Sequence, residues 1–388
     1  METTATGTTN PLKALAGLGQ SVWLDSIRRS LITSGELRRL LDDDGLRGIT
    51  SNPAIFEKAI TGSADYADAL HTLHAQNLDA KSAYEQLAIS DIRDAADVLR
   101  SIYAASHRRD GYVSLEVSPY LARDTQGTLA EARRLWQAVA RENVMIKVPA
   151  TPEGIPAFEQ LVTEGINVNV TLLFSQSAYE HVAQAYIAGL ERFATAGGRL
   201  DRVASVASFF VSRIDTAIDA LISARLEAGV DPAEADMLRS LLGKVAIANA
   251  KLVYQRYRTL FSGARWAALA AKGAQTQRVL WASTGTKNPT YRDVVYVEEL
   301  IGPDTVNTIP PATFEAFRDH GRARASLTEC IGAASDTIAR LAQVGISMEQ
   351  VTDKLLDEGL LLFSEAFDKL LGAVDSRRRS SSPARVNR

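Results

Sequence analysis

The sequence predicts an α/β fold of the (β/α)8, TIM-type barrel class, in which eight parallel strands close on themselves inside a ring of helices. Eight short β-branched runs alternate with helix-like stretches, and no linker rich in Pro, Gly or Ser divides the 388-residue chain. Such alternation favours a parallel sheet with right-handed crossovers, and eight units are the number that closes a barrel. The runs lie at residues 21–25, 48–52, 112–118, 144–150, 168–174, 202–210, 278–284 and 306–310.

The stretches between the runs have the spacing of amphipathic helices, and two of them are long. Residues 53–111 and 211–277 each have room for more than one helix. Three further helices are predicted after the last run, near 313–320, 325–343 and 347–372, with apolar residues at helical spacing in the final one.

Capping signals and composition set the predicted limits of the domain. Asn10 before Pro11 marks the start of an early helix, and Ser347 with Gln350 forms a capping-box pair. We therefore expect one catalytic barrel domain with additional helices over residues 1–375. The remainder, 376–388, is rich in Ser and Arg without apolar periodicity, which predicts a disordered basic tail.

The overall composition excludes several classes of function. Hydrophobic residues make up 46% of the chain and the formal net charge is −3, so no basic field indicates a nucleic-acid partner. The one cysteine, Cys330, permits neither an internal disulfide framework nor a cysteine-based zinc site. No secretory signal or apolar stretch of about 20 residues is present, so we expect no membrane segment and a cytoplasmic location.

Polar side chains converge on one face of the predicted strands. Lys147 alternates with Val144, Ile146 and Val148, and Glu116 lies in the run before it. Since strand side chains alternate between faces, the polar set points into the barrel, and its other members are Asp25, Thr50, Asn52, Asn169 and Thr171. Burying a polar group without a partner costs about 1–3 kcal/mol, so this concentration indicates a functional site. The structural alternative is a Lys147–Glu116 ion pair that only fills the barrel.

A lysine inside a barrel suits imine chemistry. Burial favours the neutral amine, which attacks carbonyl carbons, and the protonated imine permits cleavage of an adjacent C–C bond. Carboxylates must move protons during these steps, and Glu116 and Asp25 are of the required type.

An anion site is predicted beside this lysine. Ser208 lies near the end of the sixth run and Arg213 just after it, and Lys287 lies in a small-residue loop after the seventh. Barrel phosphate sites commonly lie after strands seven and eight, at helix N-termini. Arg213 by itself would more often be a solvated helix residue, and it is the pairing with Lys287 at a comparable strand end that favours the anion site.

Other chemistries fit the sequence less well. None of the five histidines ends a predicted strand, which disfavours a metal-dependent aldolase. A Walker-type phosphate loop, a complete dinucleotide fingerprint, a thiamine diphosphate signature and a G-x-S-x-G elbow are not found. We therefore expect no metal and no cofactor.

Three segments resemble the transaldolase family. GITSNPAIF (48–56) is similar to the family signature around its second strand, and VSLEVSPYLARDT (113–125) resembles the strand with the catalytic glutamate. VMIKVPATPEGIPAFEQLVTEGINVNVTLLFS (144–175) looks like the active-site region of the family. The resemblance covers roughly residues 11–372, and WASTGTKNPTYRD (281–293) is similar to the longer bacterial subclass. It implies a barrel with a circularly permuted strand order.

The resemblance also implies residue roles. Lys147 would form a Schiff base with a ketose phosphate, Glu116 would act through a water held with Thr171, and Asp25 would take the proton of the C4 hydroxyl. The dihydroxyacetone moiety would be bound by three polar side chains, Asn52, Asn169 and Thr50. The phosphate would be held by Ser208 and Arg213, with Lys287 at a position where many relatives have arginine.

The implied reaction converts sedoheptulose 7-phosphate and glyceraldehyde 3-phosphate to erythrose 4-phosphate and fructose 6-phosphate in the pentose phosphate pathway. Two alternatives remain open: a lysine-dependent (class I) aldolase such as a fructose-6-phosphate aldolase, and a non-catalytic barrel scaffold. The expected partners are sugar-phosphate substrates, and the oligomeric state is left open between monomer and homodimer.

Overall fold

The structure, a computed structural model, describes residues 10–76 and 78–380. Its strands form a closed parallel barrel in which neighbours follow chain order and the last strand pairs with the first, which confirms the predicted fold class. A circular permutation changes only which strand comes first in the chain, so that expectation stays a prediction. The strands are β1 (Gln20–Leu24), β2 (Leu46–Ile49), β3 (Tyr112–Glu116), β4 (Val144–Pro149), β5 (Val168–Leu173), β6 (Ser205–Phe210), β7 (Arg278–Ala282) and β8 (Thr305–Ile309).

Helices surround the barrel, and short 3₁₀ turns occupy Pro119–Leu121 and Leu200–Arg202. Counting only the described residues, the long connections at 53–111 and 211–277 contain three and four helices, which confirms the prediction of more than one helix in each. The helices are α1 (Pro11–Gly17), α2 (Arg29–Thr33), α3 (Glu36–Asp43), α4 (Pro53–Gly62), α5 (Ala67–Ala75), α6 (Ala80–Ala105), α7 (Thr125–Val139), α8 (Gly154–Thr163), α9 (Gln176–Thr195), α10 (Ser212–Ala228), α11 (Pro232–Leu241), α12 (Val245–Leu260), α13 (Ala264–Ala270), α14 (Val295–Glu298), α15 (Pro311–His320), α16 (Ile331–Gln343) and α17 (Met348–Ser380).

Each predicted strand overlaps an observed one, but the second ends earlier than predicted. β2 stops at Ile49, and Asn52 is the N-cap of α4, its side-chain oxygen accepting a hydrogen bond from the Ile55 amide at 3.0 Å. Pro53 occupies the first helical position, where its missing N–H costs nothing. The prediction that Asn52 lies on a strand is therefore wrong, because local helix capping takes this residue out of the sheet.

The amino-terminal half of the barrel interior is closed by packing and by one buried ion pair. Gly48 faces the Trp23 indole so closely that a Cβ at this position would lie 2.5 Å from the ring. Below it, the Arg278 guanidinium donates to Asp110 at 2.8 Å and to the Ser21 hydroxyl at 2.7 Å. Burial opposes the charge on Asp110, yet Arg278 holds the pKa of this carboxyl below its ordinary value. The interior is therefore open only towards the carboxyl ends of the strands.

The long C-terminal helix α17 packs against α4, α5 and α6. At its start, the Ser347 hydroxyl accepts from the Gln350 amide at 3.3 Å, which is one half of the predicted capping box. At its other end, residues 376–380 belong to the helix and not to the predicted disordered tail. The physical reason is Arg377, whose guanidinium donates to backbone carbonyls where α4 ends, including Ser63 O at 2.7 Å. Residues 381–388 of the predicted tail lie outside the described residues.

No helix within residues 10–76 and 78–380 has both the length and the apolar character that a membrane crossing requires.

Candidate active site

A cavity of about 570 Å³ opens at the carboxyl ends of the strands. A volume of this size is typical of small-molecule sites. Eight of the ten predicted site residues line it: Asp25, Thr50, Asn52, Lys147, Thr171, Ser208, Arg213 and Lys287. The other two, Glu116 and Asn169, lie behind this wall and contact residues that line it.

Lys147 lies at the base of the cavity on β4, where its register places it beside Glu116 of β3 and Asn169 of β5. The side chain is buried, and its Nζ donates a hydrogen bond to the Ser51 carbonyl at 3.0 Å. The same nitrogen lies 3.5 Å from Glu116 Oε2 and 5.9 Å from the centre of the Phe363 ring. The amine is therefore enclosed, oriented by one carbonyl and one carboxyl group, and faces the space that a substrate would fill.

The Glu116 carboxyl group has a pKa close to neutral pH. Burial raises the pKa of Glu116 to about 7, with the nearby Lys147 opposing the shift and Asp25 adding to it. Its Oε2 atom is buried without a hydrogen-bond partner among the residues that the structure describes. A carboxyl group with this pKa can both give and take a proton near neutral pH, as an acid–base catalyst must.

Asp25 lies at the end of a chain of two hydroxyl groups that line the cavity, Thr308 and Thr50. The Thr50 hydroxyl donates to Asp25 Oδ1 at 2.6 Å and lies 2.5 Å from the Thr308 hydroxyl. Because Thr50 has a single hydroxyl proton, Thr308 must be the donor in the second contact. Burial raises the pKa of Asp25, while the Thr50 hydrogen bond and the charges of Lys147 and Lys287 lower it. Thr50 contacts only the Oδ1 atom of Asp25, and the other carboxylate oxygen, Oδ2, has no bond to Thr50.

Polar side chains on β5 and β6 differ in whether their polar atoms already have hydrogen-bond partners. Thr171 lines the cavity, and its buried hydroxyl has no partner among the described residues. Asn169 instead uses both ends of its amide within the protein, since its Nδ2 donates to Ser114 Oγ at 3.0 Å and its Oδ1 accepts from Ser208 Oγ at 2.7 Å. Thr171 therefore has a free polar group for a water or a ligand, whereas Asn169 fixes Ser208 in the cavity wall.

The next residue along β5, Leu172, has a φ of +60°, which is strained for a leucine. The pairing between β5 and β6 is also irregular from Val170 to Leu173. The irregularity falls where Thr171 faces the cavity, so the backbone is distorted at the site itself.

Two cations flank the outer part of the cavity. Arg213 lies in the first turn of α10, its guanidinium 5.4 Å from the centre of the Phe210 ring. Burial lowers the pKa of Arg213, with Glu358 opposing, but an arginine remains charged at neutral pH. Lys287 is exposed in the loop after β7 and lines the same cavity. A cation at a helix N-terminus facing a second cation is a favourable environment for an anion.

Several lining residues were not anticipated from the sequence. Thr308 lies on β8, and its alternation with Asn307 was a usable signal because only one of the two can face inward. Phe363 comes from α17, more than 200 residues away from Lys147, and no local pattern indicated it. The additional polar or charged lining residues are Ser26, Arg28, Lys58 and Ser283.

Comparison with known proteins identifies the family of this chain. A family model described as Transaldolase/Fructose-6-phosphate aldolase matches residues 22–374. The chain belongs to this family.

Curated members of the transaldolase/fructose-6-phosphate aldolase family match almost the whole chain. It is 47% identical to a transaldolase of Trichodesmium erythraeum over 97% of this chain and 99% of that protein. A protein named transaldolase 2 from Nostoc punctiforme is 48% identical over 97% of this chain and 99% of its own length. A transaldolase of Thiobacillus denitrificans is 47% identical, with 94% and 99% covered.

Proposed function

We propose that this chain is a transaldolase, a transferase that uses Lys147 as a Schiff-base nucleophile to move a dihydroxyacetone unit between sugar phosphates. The observation that carries the proposal is the position of a buried amine 3.5 Å from a carboxyl group whose pKa is about 7, at the base of an open cavity. The names of the relatives support the same activity.

Imine formation begins when the neutral Lys147 amine attacks the C2 carbonyl of the donor ketose. The resulting carbinolamine loses its hydroxyl as water, and this step requires a proton from an acid. Glu116 is close enough to the amine to supply that proton, directly or through a water hydrogen-bonded to the free hydroxyl of Thr171. The product is a protonated imine that withdraws electrons from the neighbouring carbons.

Bond cleavage follows when a base takes the proton of the C4 hydroxyl. Asp25 lines the same cavity as Lys147 and is oriented by the Thr50 hydroxyl, so we assign it as the base of this step. The C3–C4 electron pair moves onto the imine as an enamine, and the aldehyde product leaves. Attack of the enamine on an acceptor aldehyde, with return of the proton from Asp25 and hydrolysis of the imine, completes the transfer.

Binding of the donor uses the remaining predicted residues. Asn52 and Thr50 line the cavity near the amine, Asn169 holds Ser208, and Arg213 with Lys287 binds the phosphate. The proposed substrates are sedoheptulose 7-phosphate and glyceraldehyde 3-phosphate, giving erythrose 4-phosphate and fructose 6-phosphate. This reaction belongs to the pentose phosphate pathway, and we place it in the cytoplasm without a cofactor.

The test is borohydride trapping with fructose 6-phosphate, followed by mass spectrometry. A mass increase on Lys147 that depends on the substrate is expected, and it should be lost in Lys147→Met, which keeps a side chain of similar length. A folded wild-type protein that gains no mass would reject the Schiff-base mechanism and favour a non-catalytic scaffold.

The family also includes fructose-6-phosphate aldolases, so a second candidate function is release of free dihydroxyacetone. Consumption of fructose 6-phosphate is measured with and without erythrose 4-phosphate. A transaldolase turns over rapidly only with the acceptor. Equal rates in the two assays would favour the aldolase.

A further inference from the structure

The loop that follows β7 separates two cavities. Lys287 lines the active-site cavity and also a smaller cavity of about 190 Å³ on the other side of the loop. The walls of the smaller cavity include Asp215 and Asp219 of α10 and Tyr291 of the loop. The position of Lys287 therefore depends on how this loop is held.

Hydrogen bonds within the loop make its tip a compact unit. The Thr286 hydroxyl donates to Arg292 O at 3.1 Å, and the side chain of Asn288 accepts from the Thr290 amide at 3.0 Å. The Tyr291 amide donates to Asn288 O at 3.1 Å. Lys287 lies inside this closed segment, so the segment sets the position of its backbone.

The unit is tied to α10 through Tyr291. Its hydroxyl donates to Asp219 Oδ2 at 2.8 Å, and Asp219 Oδ1 accepts from the Gly243 amide at 3.1 Å. The Tyr291 ring packs against Gly243, where a Cβ would lie 2.7 Å from the ring. The ring contact positions the side chain, and the hydroxyl makes the connection to the helix.

The hydrogen bond from Tyr291 therefore ends on α10, and α10 also carries Arg213 in its first turn. Farther along the chain, Tyr296 donates to Asp215 of the same helix at 2.9 Å. One rigid helix therefore carries one candidate phosphate ligand and anchors the loop that carries the other.

We propose that the Tyr291–Asp219 hydrogen bond sets the position of Lys287 relative to Arg213, which makes Tyr291 and Asp219 positioning residues for the phosphate end of the sugar. This inference rests on the proposed function, in which these two cations bind phosphate. It extends the site to residues that do not line the active-site cavity.

The test uses Tyr291→Phe, which keeps the ring on Gly243 and removes only the hydroxyl. We expect the KM for fructose 6-phosphate to rise about tenfold, comparable to the loss of one charged hydrogen bond. Borohydride trapping with dihydroxyacetone, which has no phosphate, should proceed at the wild-type rate. The matched control is Tyr254→Phe, which removes a hydroxyl that donates to Pro303 O at 2.9 Å, and the KM should not change there.

A double-mutant cycle separates positioning from general stability. In the Lys287→Ala background, Tyr291→Phe should cause little further rise in KM, because its effect acts through the lysine. If Tyr291→Phe does not fold, Asp219→Ala serves instead, since it removes the carboxylate that accepts from the Tyr291 hydroxyl and from the Gly243 amide.

Titration with inorganic phosphate distinguishes failure of this inference from failure of the proposed function. We expect the variant to bind phosphate about tenfold more weakly than the wild type. If the wild type does not transfer dihydroxyacetone but this loss is seen, the proposed reaction is wrong and the positioning role stands. Unchanged KM and phosphate affinity in the folded variant, equal losses with dihydroxyacetone, or no phosphate binding by the wild type would overturn the inference.

Discussion

Replacing Glu116 by glutamine tests the central pair of the site. The change keeps the size of the side chain but removes its ability to give and take a proton. Lys147 keeps the hydrogen bond to the Ser51 carbonyl and can still contact the glutamine oxygen. The amine should therefore remain in place while the acid–base step is lost.

The expected effect on rate follows from the role of the carboxyl group. General acid–base catalysis by a positioned side chain contributes about 10²–10⁴-fold, or about 3–5 kcal/mol of barrier. Imine formation should slow by this factor, whereas phosphate affinity should stay within about twofold because Arg213 and Lys287 are untouched. In the wild type, the rate of imine formation should also change around pH 7, where Glu116 titrates, and this dependence should be absent from the variant.

The same titration predicts a pH-dependent difference in stability. Burial raises the pKa of Glu116 from 4.5 to about 7, so the folded protein binds a proton more tightly than the unfolded chain does. The contribution of this group to stability is present at low pH and is lost as pH rises from about 4.5 to about 7. The loss amounts to at most about 3 kcal/mol. Relative to the wild type, Glu116→Gln should therefore gain stability between pH 5 and pH 8.

Single-turnover borohydride trapping with fructose 6-phosphate measures the rate, and urea unfolding at pH 5 and pH 8 measures stability. The control is Glu131→Gln, a nearby carboxyl group that pairs with Lys81 at 2.7 Å and lies outside the active-site cavity. The control should form the imine at the wild-type rate. Imine formation by Glu116→Gln at the wild-type rate, or with an unchanged dependence around pH 7, would refute the role of this carboxyl group.

Three further changes test other parts of the molecule. Thr171→Val should slow imine formation and leave the urea midpoint nearly unchanged, because the hydroxyl has no hydrogen-bond partner within residues 10–76 and 78–380; a large loss of stability would show a structural role instead. Arg278→Met should lower the free energy of unfolding by about 3–5 kcal/mol, because it leaves the buried Asp110 carboxylate unpaired; a loss below about 1 kcal/mol in urea unfolding would contradict this reading. Arg377→Ala should lower stability by about 1.5–3 kcal/mol in thermal or urea unfolding, because it removes charged hydrogen bonds to the end of α4. The exposed Arg123–Asp357 pair is its control, and Arg123→Ala should cost no more than about 1 kcal/mol.

The strand pattern was strong enough to predict the barrel and its inward-facing residues. Lys147 and Thr171 line the cavity and Glu116 contacts the lysine because period-two alternation, once a run is correctly located, leaves only one choice of face. The error at Asn52 has a local cause: the end of β2 and the start of α4 lie in the same short segment, where Asn52 caps the helix and Pro53 occupies its first position. The hydrogen bonds of Asn169 were not predictable from the sequence. Both ends of its amide pair with residues of two other strands, Ser114 and Ser208.

By itself, the sequence determined the eight-unit barrel and the strand face on which Lys147, Glu116 and Thr171 lie. These follow from periodicity and side-chain chemistry, which are local properties of the chain. Only the tertiary structure decided that Phe363 of the C-terminal helix faces the lysine, that Leu172 is strained, and that Arg377 extends the helix beyond the predicted boundary. Each of these depends on contacts between segments far apart in the chain, and such contacts leave no regular pattern in the order of residues.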